Sequence, residues 1–151
     1  MHANDVLAIA VGIAVFAACL VVHAFFMFRV LHSQVAYRAR HPGARGIRLI
    51  VPSILLAILP IVVSCFVQII LWSVVLWFFG DFASARDAMY FSGTTFTTLG
   101  STQHVLGAPY RLFEPMEAMN GILAAGLNTA ILFAIISNVG RRQGDLGDFF
   151  Q

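Results

Sequence analysis

Tyr90-Phe91-Ser92-Gly93-Thr94-Thr95-Phe96-Thr97-Thr98-Leu99-Gly100-Ser101 is the stretch whose reading decides the fold. It lies between two apolar runs, each long enough to cross a bilayer, and is itself too short and too rich in hydroxyls to be a third. A short helix can form up to Phe96, after which the threonines lose the helical pattern. Non-helical backbone at membrane depth is tolerated only where protein buries it or water reaches it. A re-entrant loop lining a pore meets that condition, because its carbonyls and threonine hydroxyls can replace the water around a cation.

The composition agrees with a membrane setting. Of 151 residues, 60% are hydrophobic and 11% charged, against about 25% charged in soluble domains. There is no Lys, so all nine basic residues are Arg. Cys19 and Cys65 lie in apolar runs and read as small buried hydrophobes. No Cys/His cluster has metal-ligand spacing. Met1 to Asp5 lacks the basic start of a secretory signal, so the first apolar run reads as a retained span. No nucleic-acid signature is present, and no cofactor is expected.

Residues 1–31 are expected to form an N-terminal transmembrane helix. Val6 to Phe28 covers about 35 Å at 1.5 Å per residue, enough for the roughly 30 Å hydrocarbon core. His23 lies inside it and reads as a hydrogen-bonded histidine, since no partner histidine at matching depth supports a haem site. Residues 32–48 read as a polar connection with a turn at His41-Pro42-Gly43. Arg38, Arg40, Arg45 and Arg48 in it, with Arg29 before it, place it in the cytoplasm. Contact with anionic headgroups is a secondary reading.

Residues 49–79 form the second run, with Pro60 expected to kink it. Ser64 and Gln68 share one face, which should meet another helix. Ser84 and Asp87 have capping-box spacing for a helix over 85–96, roughly 18 Å long. Pro115 suits the first turn of a last helix over 115–139, and residues 141–151 are a short cytoplasmic tail. Seven arginines fall on one predicted side, while Asp5, Asp81, Asp87, Glu114 and Glu117 fall on the other. The N-terminus is then outside and the C-terminus cytoplasmic.

At Thr97-Thr98-Leu99-Gly100 the chain resembles the start of the potassium-channel selectivity filter, whose core reads TVGYG. Ala88-Met89-Tyr90-Phe91-Ser92 resembles the pore helix of the two-helix pore module. Gly121-Ile122-Leu123-Ala124-Ala125-Gly126 resembles the glycine-bearing middle of its inner helix. The resemblance covers roughly residues 50–140, so 49–140 is expected to be the pore module. It departs in the filter: Ser101 and Thr102 stand where the family has Tyr and Gly, and Gln103 replaces the following Asp.

The resemblance implies an all-α membrane protein with three transmembrane helices, a re-entrant pore helix and a filter loop, assembled as a homotetramer because the family filter is a ring of four loops. It implies that Thr97, Thr98, Leu99, Gly100, Ser101 and Thr102 bind ions, with potassium or sodium in the pore. Gly121 and Gly126 are expected at close helix approaches, either able to act as a hinge. Asn128 faces a cavity below the filter or makes an interhelical hydrogen bond. His104, Glu114 and Glu117 are expected at the outer mouth, although either acid could instead orient helix and loop.

Three functions of different class are compatible with a small polytopic chain. A cation channel uses the loop as a filter. A non-conducting subunit keeps the fold without flux. A membrane oxidoreductase lacks support, since no paired intramembrane histidines, carboxylate pair or nucleophile–base constellation appears. Membrane lipids and further copies of the chain are the expected partners. The Lys-free, Arg- and Ala-rich composition points to a bacterial inner membrane.

Overall fold

Residues 3–44, 47–80, 82–100 and 104–142, with side chains to residue 138, are described here from a computed structural model. Four helices account for most of them: α1 Ala3–Arg40, α2 Ile47–Phe79, α3 Ala85–Phe96 and α4 Phe113–Arg142, the last preceded by a 3-10 turn at Tyr110–Leu112. α1, α2 and the segment Tyr110–Asn138 are long and apolar enough to cross a membrane. In each, only 22% of the apolar window is buried within the chain. The exposed remainder is hydrophobic, with Phe28, Leu59, Phe78 and Phe133 all more than 60% exposed. Such a surface belongs in lipid rather than water, and the chain is an integral membrane protein.

The first helix differs from the expected one. Instead of yielding to a polar connection at His32, α1 continues to Arg40, and α2 begins at Ile47, two residues before the expected 49. The reason is visible in the burial pattern. Val30 and Gln34, one turn apart, are both buried, so the helical face stays in use beyond Arg29. Only a turn is left: the Ala44 amide donates to the His41 carbonyl over 3.1 Å, with Pro42 at its second position. Arg45 and the tail 143–151 lie outside the described residues, as does Asp81.

The contacts divide into two units, one of residues 1–24 and 64–125, the other of 25–63 and 126–151. In the first, Trp72, Leu76, Phe91, Leu106 and Phe113 form the buried core with Ala8, Cys19 and Ala88. Trp72 packs on Phe113 with ring centroids 6.2 Å apart, and Phe82 on Phe91 at 5.2 Å. Gly12 brings α1 close to α4, since a Cβ there would lie 2.6 Å from the Met116 sulfur.

In the second unit, Val30, Ala57, Ile61 and Ile135 pack together. The Gln34 Nε2 donates to the Ser53 carbonyl over 2.7 Å. α2 runs unbroken through Pro52 and Pro60. Proline removes the amide that would bond the carbonyl four residues back, which for Pro52 is Arg48. The Tyr37 hydroxyl takes that place, donating to the Arg48 carbonyl over 3.2 Å.

This substitution of one donor for another is measurable. Tyr37→Phe should lower stability by about 0.5–1 kcal/mol, the value of one ordinary hydrogen bond. In a Pro52→Ala background the amide returns, and the same change should cost almost nothing. Thermal unfolding of the four proteins in detergent gives the coupling, and equal costs in both backgrounds would remove Tyr37 as the surrogate donor.

Candidate pore loop and its support

Ser84 stands at the N-cap of α3 with extended backbone, its Oγ accepting from the Asp87 amide over 3.2 Å. Asp87 answers from the third position, but through the hydroxyl, which donates to Asp87 Oδ2 over 2.8 Å. The helix then buries Ala88, Phe91, Ser92, Thr94, Thr95 and Phe96. Its 12 residues give a length of about 18 Å, too short to cross a bilayer.

The helix ends by folding its own chain back over its last carbonyls. The Thr97 amide and hydroxyl both donate to Gly93, at 3.2 and 2.8 Å. The Thr98 amide donates to Thr95 over 2.9 Å and the Gly100 amide to Thr94 over 3.0 Å. This curl requires left-handed backbone at two places, φ +62° at Thr98 and +74° at Gly100. Glycine adopts that conformation freely, whereas a β-branched residue pays roughly 1–2 kcal/mol. Thr97, Thr98, Leu99 and Gly100 are all exposed in the single chain, Leu99 at 79%. Ser101 and Thr102, expected to complete the filter, lie outside the described residues.

Behind this loop the helices are unusually polar. Ser92, fully buried in the middle of α3, lies within hydrogen-bonding reach of the Ile69 carbonyl at 2.8 Å and of Glu117 Oε1. Its single proton goes to one of them at a time, so α3 is held to both α2 and α4. A second chain of contacts starts next door. Asn120 Nδ2 donates to Gln68 Oε1 over 3.1 Å. Gln68 Nε2 lies 3.2 Å from the Ser64 carbonyl and 3.3 Å from His23 Nδ1, where it is the donor. Ser64 Oγ is 3.5 Å from the same ring nitrogen. Asn120, Gln68, Ser64 and His23 are each no more than 2% exposed, so three helices share one buried polar strand.

The expected site residues fall as follows. Gly121 sits against the end of α3: a Cβ there would run into the Phe96 backbone carbonyl. Within the single chain Gly126 makes no close approach, since none of the described residues lies within 4 Å of its missing Cβ. Glu117 is a correction. It is fully buried against Ser92 and so does not line an outer mouth within this chain. Glu114, three residues earlier, is half-buried in the first turn of α4, and Asn128 is half-buried further along. His104 stacks on Phe82 with ring centroids 4.1 Å apart, and its Nε2 lies 3.0 Å from the Gly80 carbonyl. Its ring is therefore engaged in packing.

Sequence reading missed the Ser92–Glu117 pair and the place of Asn120. A signal was present: Phe113, Glu117, Asn120, Gly121 and Ala124 repeat at helical spacing and are the buried face of the first half of α4. Three of the five are polar or lack a side chain, which hides the stripe from a search for apolar periodicity.

A half-length helix and a buried polar scaffold set among membrane-length helices define a polytopic membrane protein with one short helix packed between its spans. Residues 61–138, just over half of the chain, match the family described as Ion channel. The chain belongs to this family, the two-helix pore domain of the potassium-channel type. The matched segment takes in α3 and its loop and leaves α1 outside. No curated protein and no solved structure matches the chain.

Two substitutions at the glycines should separate. Gly121→Ala should lower the melting temperature by several degrees, as expected for overpacking costing about 1–3 kcal/mol, whereas Gly126→Ala should leave a single chain unaffected. Equal melting curves would mean that α4 retreats from Phe96 without loss. For the buried pair, Glu117→Leu should cost about 1–3 kcal/mol by leaving Ser92 with one partner fewer, and Glu117→Gln should recover most of it. Gln as damaging as Leu would show that hydrogen bonding to Ser92 is not what Glu117 supplies.

Proposed function

We propose that the chain conducts monovalent cations through a homotetrameric pore, with α3 re-entering the membrane and residues 97–102 forming the filter. The observation that carries this reading is the loop itself. A half-length helix delivers Thr97 to Gly100 to the chain's surface, with Leu99 79% exposed beside polar backbone. In a membrane such a segment needs either protein or water around it. A ring of four loops supplies both, the neighbours outside and the hydrated cation inside. Potassium and sodium are the ions considered, and no other cofactor is invoked.

The charge distribution supports an orientation with the N-terminus outside and Arg38, Arg40, Arg48 and the α4 C-terminus in the cytoplasm. With that orientation the carbonyl end of α3 faces the membrane interior, where its partial negative charge favours a cation. Thr98, Leu99 and Gly100 supply the inner ion sites. Left-handed backbone, free to a second glycine, would cost Thr102 roughly 1–2 kcal/mol, a second such cost in the loop after Thr98. Ser101 has no ring to brace the filter wall. Outer sites are then lost and discrimination between ions weakens. Gly121 is the contact through which movement of α4 reaches the filter. Asn128, two turns beyond Gly121 on α4, is the residue assigned to the cavity, and Glu114 and His104 belong to the outer side.

Reconstitution into liposomes tests this directly. Cation flux should appear, with potassium favoured over sodium by no more than about tenfold, a difference of about 1.4 kcal/mol. Ser101→Tyr with Thr102→Gly should raise that ratio. Selectivity of a complete filter in the unaltered protein would mean that Thr102 takes the strained backbone after all. Intact oligomers without flux would identify a non-conducting subunit that keeps the fold.

A further inference from the structure

Residues 25–63 and 126–142 contain Arg29, Arg38, Arg40, Arg45, Arg48, Arg141 and Arg142, and no Asp or Glu. No carboxylate within these segments can neutralise them. Within this unit a groove of about 200 Å³ opens between α1 and α4, lined among others by Leu31, Gln34, Arg38, Ile131, Ile135 and Asn138. Two polar atoms of its α1 wall are buried without a hydrogen-bond partner among the described residues, Gln34 Oε1 and Arg38 Nε. Gln34 is only 5% exposed, and its amide nitrogen is already committed to Ser53.

The groove is graded from apolar to polar. α1 and α4 are the first and third of three consecutive spans and therefore cross the membrane in the same direction. Leu31 and Ile131 then form its deeper end. Arg38 and Asn138, two turns later on each helix, form the end toward the membrane surface.

We propose that this groove binds an anionic phospholipid, its phosphate held by Arg38 and the Asn138 amide and one acyl chain lying along Leu31 and Ile131. A guanidinium presents its donors in a plane that matches phosphate oxygens, and an anionic leaflet concentrates this partner beside it. The ester carbonyls of a diacyl lipid lie a step deeper than its phosphate, level with the next turn. A water donating to an ester carbonyl and to Gln34 Oε1 satisfies both acceptors. The site depends on membrane insertion and on the arginine excess, not on conduction, so a chain that carries no current tests it equally well.

The experiment is native mass spectrometry of the full chain in detergent, titrated with dioleoyl-phosphatidylglycerol or dioleoyl-phosphatidylcholine. Phosphatidylglycerol should be retained about fivefold more than phosphatidylcholine, the scale of one arginine at an anionic surface. Arg38→Gln should bring the ratio close to one. Leu31→Trp, which fills the groove and keeps the charge, should also reduce retention, with helicity checked by circular dichroism. Arg40→Gln, exposed and outside the groove, should change nothing. Unchanged preference in Arg38→Gln would overturn the proposal. So would equal competition by glycerophosphoglycerol, which has the headgroup without chains and would mark a bare anion site. If lipid binds only after Asp145→Asn with Asp148→Asn, the chain's own tail is the occupant and the lipid assignment fails.

Discussion

The carbonyl end of α3 has to meet α4 with no side chain between them, and most of the first unit follows from that contact. Gly121 supplies the gap, and Phe96 fills it with backbone rather than with a side chain. Because interhelical packing in membranes is not driven by water exclusion, close approach and polar contacts have to hold such an arrangement together. The neighbouring polar groups do this. Glu117 is one turn before Gly121 on α4, and Asn120 immediately precedes it. The first reaches Ser92 on α3 and the second reaches Gln68 on α2, so the glycine contact is flanked by two hydrogen-bonded ties.

The second tie extends beyond the family's module. His23 lies on α1, outside the matched residues, yet it shares the buried strand with Ser64 and Gln68. The additional helix is therefore joined to the pore module by polar contacts as well as by Gly12 against Met116. In lipid a polar side chain without a protein partner is costly. A free α1 would leave His23 in that state, which gives the association a definite orientation about the helix axis.

The legible parts of the fold were those with a local cause. The length of α3 follows from Ser84 and Asp87 at one end and the change of pattern after Phe96 at the other, and its bounds lie at the residues these signals indicate. The apolar runs marked the spans for the same reason. The extent of α1 was less legible. Arg29 and His32 look like the end of a membrane segment, and only the burial of Val30 and Gln34 against other helices shows why the helix goes on. Whether Glu117 lines an outer mouth or orients helix and loop was left open by the sequence. Its partner Ser92 is 25 residues away, a pairing that spacing does not reveal. The end of α3 and the exposed polar segment Thr97 to Gly100 could be located from the sequence, while Ser101 and Thr102 lie outside the described residues.

Thr98 carries a further consequence. Its left-handed backbone is held in one chain by a single amide bond to Thr95, with Gly100 closing onto Thr94 beyond it. The conformation costs roughly 1–2 kcal/mol at a β-branched residue, a factor of about ten in an equilibrium. The loop in an isolated chain is thus a cocked state, stable only while nothing better is offered. Any surroundings that let Thr98 return to an extended backbone recover that free energy. A neighbour that engages the loop in extended form is then repaid part of what breaking the Thr98–Thr95 and Gly100–Thr94 bonds costs.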